Sequence, residues 1–265
     1  MVYFYVTKFH CMKLKAVVIM QEKGTVRAVE RALDILLCFA DASDLSLTEV
    51  AQRVNLHKST AYRLLGSLES KGFVIRDAKT DKYKLGYRIW ELVANLQQAD
   101  DPALLFLPEM EKLRDALGET VSLYVRDGKE RIRIQAVQSN HPIRRVAPVG
   151  VRLPLYVGAS SKILLAFEDE SVRQKIFEDK QWQEAVDIEE FKRQLQEIRQ
   201  AGYATSIEER ETGAAAVAAP IFNQSGQLIA ALSVSGPSNR LTSAKMEQYS
   251  QIIMDAAARM GKMMR

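Results

Sequence analysis

The sequence predicts an α+β protein of two domains, a small helical one followed by a larger one built on an antiparallel sheet. Between residues 26 and 71, apolar residues recur every three or four positions, which is typical of amphipathic helices. Two short alternating segments follow within residues 73–85 and predict a β-hairpin. Beyond residue 102, paired strand-like segments lie between long helical segments, as in an α+β domain.

The composition is that of a globular protein, with 47% hydrophobic and 26% charged residues. The longest apolar run near the start, residues 16–20, is too short for a signal peptide or a membrane span. We therefore expect a cytoplasmic protein without a membrane partner. Cys11 and Cys38 have neither metal nor redox spacing, so we expect no disulfide framework, no metal and no other cofactor.

The positive charge is concentrated in the first third of the chain. The whole chain has a formal net charge of +4, and residues 25–90 carry 11 Lys and Arg against 8 Asp and Glu. Residues 91–265 are net negative. The first third of the chain is where a surface facing DNA phosphates would need positive charge. A chance imbalance on a solvated face gives the same numbers.

The strongest functional pattern is a helix, a turn, a second helix and a hairpin. Ser46 and Glu49 form a capping box that starts one helix. The next helix is predicted over residues 58–71 and ends at Gly72, and residues 73–85 form a wing. This order is typical of proteins that place a helix in the major groove of DNA.

The N-terminal turns of the second helix carry small polar, aromatic and basic side chains. Arg63 can make two hydrogen bonds to a guanine edge, and lysines on the wing can contact phosphates. The alternative is an ordinary helix surface with local salt bridges. We predict these DNA-binding residues: Lys58, Ser59, Thr60, Tyr62, Arg63, Arg76, Lys79 and Lys82.

Four segments follow from these patterns. Residues 1–24 are interpreted as an N-terminal extension, either a flexible basic arm or the product of an upstream start site, and we favour the second. Residues 25–85 form the DNA-binding domain, residues 86–101 a linker helix, and residues 102–265 the larger domain. The linker's apolar stripe suggests packing against a partner subunit.

Within the larger domain, residues 103–117 predict a helix, and residues 120–138 predict a hairpin with an Asp-Gly turn. Another strand is expected within residues 142–151. The small residues Gly158, Ala159, Ser160 and Ser161 then lie between a strand and a helix. Such a segment lets a ligand approach the backbone and offers amide groups to an anion.

The chain resembles the IclR family of bacterial transcriptional regulators over about residues 25–262. The motifs that carry the resemblance are KSTAYRLL at 58–65 with GFV at 72–74, Pro154 with GASSK at 158–162, GYA at 202–204 with Glu208, Glu209 and Gly213, AAPIF at 218–222, and AALSVSGP at 230–237. The resemblance implies a winged helix-turn-helix, a linker helix and a GAF/PAS-like effector-binding domain. It also implies a homodimer or homotetramer on double-stranded operator DNA, and we expect a repressor.

By the same resemblance, the effector site comprises Gly158, Ala159, Ser160, Ser206, Ala216, Ser233 and Ser235. Ser206 replaces an acidic residue of some members, and the alanines at 214–216 replace a run that often includes cysteine. These departures suggest a roomier or more apolar site, and ordinary strand packing explains the alanines equally well. The expected effector is a small organic acid.

Two other functions are open. In one, the protein binds DNA without an effector and the larger domain only oligomerises. In the other, Ser160, Ser161 and Lys162 belong to a Ser/Lys hydrolase. The required Ser-x-x-Lys spacing is missing because position 159 is alanine, so we predict that the protein is not an enzyme.

Overall fold

The computed structural model describes residues 25–96, 101–144 and 148–264. The chain divides into two compact units between Val93 and Ala94. The proposed extension, residues 1–24, lies outside the described residues, as do residues 97–100 of the predicted linker. The division falls inside a helix, and the domain boundaries of the sequence analysis stay predictions.

The first unit contains three helices, a two-stranded wing and the first part of a fourth helix. Its core gathers apolar side chains from every element except the last helix, among them Ile35, Val50, Leu65 and Tyr83. The elements are α1 (Arg27–Leu37), α2 (Leu47–Arg53), α3 (Lys58–Ser70), β1 (Val74–Arg76), β2 (Tyr83–Leu85) and α4 (Arg88–Leu96). The end of the first helix tightens into a 3-10 turn, Cys38–Ala40.

The predicted capping box at the start of α2 is confirmed. Ser46 Oγ accepts from the Glu49 N–H at 3.3 Å, and Glu49 Oε2 accepts from the Ser46 N–H at 2.8 Å. These hydrogen bonds hold the pKa of the Glu49 carboxyl below its ordinary value. The cap fixes where α2 starts.

The wing strands are antiparallel, with Val74 opposite Leu85 and Arg76 opposite Tyr83. The Asp77 side chain closes the wing turn by accepting the N–H groups of Lys79 and Thr80 at 2.8 and 3.0 Å. Sequence-local turn chemistry therefore sets the tip of the wing.

The second unit is built on a six-stranded sheet in the order β5-β4-β3-β8-β7-β6, antiparallel throughout. Its strands are β3 (Thr120–Asp127), β4 (Glu130–Val137), β5 (Arg152–Pro154), β6 (Ala204–Ile207), β7 (Ala214–Phe222) and β8 (Leu228–Pro237). Its helices are α5 (Pro102–Leu105), α6 (Leu107–Leu117), α7 (Ala159–Ala166), α8 (Glu170–Phe177), α9 (Lys180–Ala185), α10 (Ile188–Ala201) and α11 (Ser243–Gly261).

Both faces of this sheet are covered. One apolar cluster joins Leu123 and Val217 of the sheet to Met110 of α6 and Ile253 of α11. A second cluster joins alternate residues of the same strands to α7, α8, α9 and α10. Because both faces are covered, even polar side chains of the central strands are removed from solvent.

The second unit differs from the prediction in three places. The helix predicted over 103–117 is two helices that meet at Phe106, because Pro108 lacks the N–H that a continuous helix needs there. No strand lies in the described part of 142–151, and β5 pairs with β4 just after it. Helix α9 was not predicted. No helix within the three described ranges is long and apolar enough to cross a membrane.

Candidate functional site

The N-terminal turn of α3 is exposed and has no side-chain cap. His57 occupies the N-cap position without a side-chain hydrogen bond to the helix. Lys58, Ser59 and Arg63 are exposed, Tyr62 is 53% exposed, and Thr60 is half-buried. The inward side of α3 is made by Ala61, Leu65 and Leu68. The five predicted residues of this helix therefore lie together at one accessible end.

The predicted basic residues differ in their local partners. Within the described part of the chain, no carboxylate pairs with Lys58, Arg63 or Lys79. Arg76 pairs with Asp81 at 2.6 Å, and its guanidinium lies 5.7 Å from the Tyr83 ring centre. Lys82 pairs with Asp44 at 2.7 Å, which raises the pKa of its ammonium group. Exposed pairs of this kind are weak and exchange readily for phosphate contacts.

A cavity in the second unit collects all seven predicted effector residues. They meet because the strands are in register: Ser206 of β6 lies opposite Ala216 of β7, and Ala216 lies opposite Ser235 of β8. Ser233 belongs to the same face, two residues before Ser235. The complete lining is Tyr124, Arg131, Gly158, Ala159, Ser160, Ser206, Glu209, Arg210, Glu211, Ala214, Ala216, Ser233 and Ser235.

Tyr124, Arg131 and Arg210 also line this cavity, although none of them was predicted from the sequence. Arg131 and Arg133 alternate with Ile132 and Ile134, a pattern that assigns the arginines to a solvent-facing side of the strand. The structure instead buries both arginines, with 4% and 1% of their surface exposed. In the sequence, two arginines on one face of a strand look the same whether that face is exposed or buried. The sequence alone therefore could not identify them as residues of the site.

Arg131 is anchored by one end of its guanidinium. Its Nη1 donates to the carbonyls of Pro154 at 3.2 Å and Val157 at 2.5 Å, whereas its Nε has no hydrogen-bond partner. Burial lowers the pKa of Arg131 to about 10. Its Nη2 would lie 3.1 Å from a Cβ at residue 158, where the φ of +94° also requires glycine.

Arg133 holds the hydroxyl of Tyr124. Its Nε donates to Tyr124 Oη at 3.0 Å, and its Nη2 donates to the same oxygen. The guanidinium carbons of Arg131 and Arg133 lie 5.3 and 5.0 Å from the centre of the Tyr124 ring. Tyr124 therefore lies against two cations, and its phenol is fixed at the wall of the cavity.

A carboxylate of the protein already lies at the N-terminus of α7. Glu209 Oε2 accepts the Gly158 N–H at 2.9 Å, and its Oε1 pairs with Lys162 Nζ at 2.5 Å. This is the amide that the sequence analysis assigned to an effector anion.

The cavity is small and lined mainly by polar side chains, so it gives no support to a roomier or more apolar site, and that expectation stays a prediction. The cavity has a free volume of about 30 Å³, which is room for about two water molecules. Apolar side chains in the lining come only from Ala159, Ala214 and Ala216.

The side chains that suggested a hydrolase have other partners. Ser161 Oγ donates to the Pro154 carbonyl at 3.1 Å and is fully buried. The Lys162 ammonium group pairs with Glu209 and not with a serine hydroxyl, so it is not arranged as a general base for a serine. This geometry gives no support to Ser/Lys hydrolysis.

Comparison with known proteins identifies the same two parts of the chain. The model of the bacterial transcriptional regulator IclR C-terminal domain matches residues 101–261, and the IclR helix-turn-helix domain matches residues 28–78. The HTH-type transcriptional regulator KdgR of Escherichia coli is 28% identical over 92% of this chain and 95% of its own length. The transcriptional repressor AllR of E. coli is 29% identical over 89% of each.

Solved structures agree with this assignment. An IclR homologue from Microbacterium hydrocarbonoxydans, complexed with 4-hydroxybenzoate, has a TM-score of 0.77 and 25% identity over 90% of this chain and 99% of its own. Both family models, the curated relatives and the shared fold point to one assignment. The chain therefore belongs to the IclR family of bacterial transcriptional regulators.

Proposed function

We propose that this protein is a transcriptional repressor that contacts operator DNA through α3 and the wing, and that a small organic acid in the cavity of the second unit regulates it. The observation that carries the DNA half is the exposed, uncapped first turn of α3 with Arg63 beside it. Backbone N–H groups at a helix start and a planar guanidinium suit phosphates and a guanine edge respectively.

The effector half is supported by the convergence of all seven expected residues on one cavity. A solved homologue carries 4-hydroxybenzoate, which contains a carboxylate. Since about 30 Å³ does not hold an organic acid, ligand entry requires movement of lining side chains. Outside regular secondary structure, the lining comes from Gly158 and from the segment between β6 and β7, which carries Glu209.

The proposal also covers the oligomeric state, the cellular compartment and whether the protein catalyses a reaction. We propose a homodimer or homotetramer in the cytoplasm that acts by binding and not by catalysis. Exposed apolar side chains lie on the predicted linker, among them Tyr87 just before α4 and Trp90 within it. They support a surface that binds a partner subunit. AllR, a named repressor among the relatives, supports the direction of regulation.

The direct test is the variant Arg63→Ala on a DNA duplex selected from a randomised library by the wild-type protein. We expect at least a tenfold loss of affinity in a fluorescence-anisotropy titration, because a guanidinium–guanine contact contributes about 1–3 kcal/mol. Arg193→Ala, which removes an exposed arginine from α10 of the other unit, is the matched control. Equal affinities of the two variants would contradict the proposed role of α3.

A further inference from the structure

Unsatisfied buried polar atoms cluster on the cavity side of the sheet. Three buried side-chain nitrogen or oxygen atoms lack a partner among the described residues, and they belong to Ser122, Arg131 and Arg133. Ser122 and Tyr124 lie on the same face of β3, and Arg133 lies opposite Tyr124 on β4. Buried polar groups in folded proteins are almost always paired, so a cluster of exceptions beside a cavity points to a polar ligand.

The charges at this place are also incompletely balanced. Glu209 pairs with Lys162, and Arg210 pairs with Glu211 at 2.6 Å. No described carboxylate is within ion-pair distance of Arg131 or Arg133, although Glu209 is near enough to favour the charged form of Arg131. A buried cation without a counter-ion costs free energy, and a bound anion removes much of that cost.

The hydroxyl of Tyr124 is directed by Arg133 into the role of a donor. A phenol oxygen has two acceptor positions and one proton. Both acceptor positions are used by the two Arg133 nitrogens. The proton is then available for a ligand oxygen at the cavity wall.

The helix N-terminus is the less suitable place for the ligand's carboxylate. The Gly158 amide and Lys162 are already bound to Glu209. An effector carboxylate there would have to displace a carboxylate of the protein, with little net gain in charge pairing. At Arg131 it meets an unpaired donor and an unpaired charge.

We propose that Arg131 and Tyr124, the latter oriented by Arg133, bind the carboxylate of the effector, and that the effector is a small aliphatic acid bearing hydroxyl groups. The remaining lining supports this ligand class, since Ser160, Ser206, Ser233 and Ser235 offer hydroxyls and Tyr124 is its sole aromatic side chain. This inference rests on the proposed effector site and adds its anion-binding residues and its ligand class.

The test measures binding of D-gluconate, benzoate and sorbitol to the full-length protein by calorimetry and thermal shift. Gluconate carries a carboxylate and hydroxyls, benzoate carries only the carboxylate, and sorbitol only the hydroxyls. We expect gluconate to bind best, and Arg131→Gln and Arg131→Lys to weaken it at least tenfold. Tyr124→Phe should weaken it severalfold. Arg152→Gln, on the neighbouring strand β5 and half-exposed, is the matched control and should bind gluconate as wild type does.

Stability separates a ligand contact from a structural role. Arg131→Gln removes a buried charge but also the donor to the Pro154 and Val157 carbonyls, so the melting temperature of each ligand-free variant is measured beside its gluconate affinity. A lower melting temperature together with unchanged gluconate affinity in Arg131→Lys would overturn the inference. Stronger binding of benzoate or sorbitol, or no binding of any probe, would overturn the ligand class.

Binding of the selected duplex by the same wild-type preparation distinguishes failure of this inference from failure of the proposed DNA-binding function. If the duplex binds and gluconate does not, the inference fails and the DNA-binding function stands. If the duplex does not bind, the proposed function itself fails, whatever the acids do.

Discussion

Helices α3 and α7 begin in similar ways, but the surroundings of their N-termini differ. Neither start has a side chain of its N-cap residue bonded to the helix. The first turn of α3 is exposed and surrounded by basic side chains, whereas the start of α7 is buried and carries the carboxylate of Glu209. A helix N-terminus attracts anions in both cases. The difference lies in whether the protein provides the anion itself.

This contrast assigns separate tasks to the two units. At α3 the anion must come from outside, which suits a DNA phosphate. At α7 the internal carboxylate stabilises the ligand-free arrangement, and the external anion is left to Arg131. Under the proposed function, the effector cavity must open to admit its ligand, whereas the surface proposed to bind DNA is already exposed.

The largest expected effect comes from giving α3 a carboxylate of its own. Ser59→Asp should lower affinity for the selected duplex at least tenfold, about 1.4 kcal/mol, because the new charge repels phosphates. The same charge should stabilise the helix by about 0.3–1 kcal/mol. Ser243→Asp, at the first position of α11, is the control and should leave duplex affinity unchanged. Unaltered DNA binding by Ser59→Asp would break the comparison.

Gly158→Ala should damage the start of α7. The φ of +94° strains any side chain, and the added Cβ would lie 3.1 Å from Arg131 Nη2. We expect a loss of about 1–3 kcal/mol in the free energy of unfolding and weaker gluconate binding. Gly226→Ala has a similar φ of +80° with nothing within 4 Å, so it reproduces the backbone strain alone. The difference in unfolding free energy between the two variants, measured by denaturant unfolding, isolates the contact of the added Cβ with Arg131. Identical gluconate affinities of the two variants would argue that this contact does not affect ligand binding.

Glu209→Gln should make α7 resemble α3. The amide cannot neutralise Lys162, so the helix start and the cavity become more attractive to an external carboxylate. We expect gluconate affinity by calorimetry to rise about tenfold, or 1.4 kcal/mol. Glu130→Gln, which removes an exposed carboxylate from β4, is the control. Weaker binding by Glu209→Gln would show that Glu209 assists the ligand instead of competing with it.

The smallest effect concerns the capped helix α2. Ser46→Ala should cost about 1 kcal/mol of unfolding free energy through loss of the cap, whereas Ser67→Ala on α3 should be near neutral. Because the cap lowers the pKa of Glu49, its contribution is present above the ordinary pKa of a glutamate and is lost as the pH falls through the lowered value. Urea unfolding at neutral and acidic pH checks both statements, and a pH-independent difference between the two variants would contradict the second.

Local chemistry made much of the first unit predictable. Ser46 and Glu49 mark the start of α2, and Gly72 follows α3 with the positive φ of a helix end. The exposed residues of α3 follow from helical periodicity once Ala61 and Leu65 are assigned to the core. These signals act over a few residues, so the sequence contains them directly.

The effector site was predictable only in part. Ser206 came from resemblance to a family, and Gly158 also from its segment of small residues, and both line the cavity. Arg131 could not be found this way, because its burial depends on α7 covering that face of the sheet and on the Gly158 backbone lying against its guanidinium. Such contacts join residues far apart in the chain.

We propose that ligand binding in the second unit changes DNA binding by the first. The most direct measurement is an anisotropy titration of the selected duplex with wild-type protein, with and without saturating D-gluconate. We expect the midpoint to shift by about 5- to 150-fold and Arg131→Gln to abolish the shift. Identical midpoints, with gluconate shown by calorimetry to be bound, would contradict it.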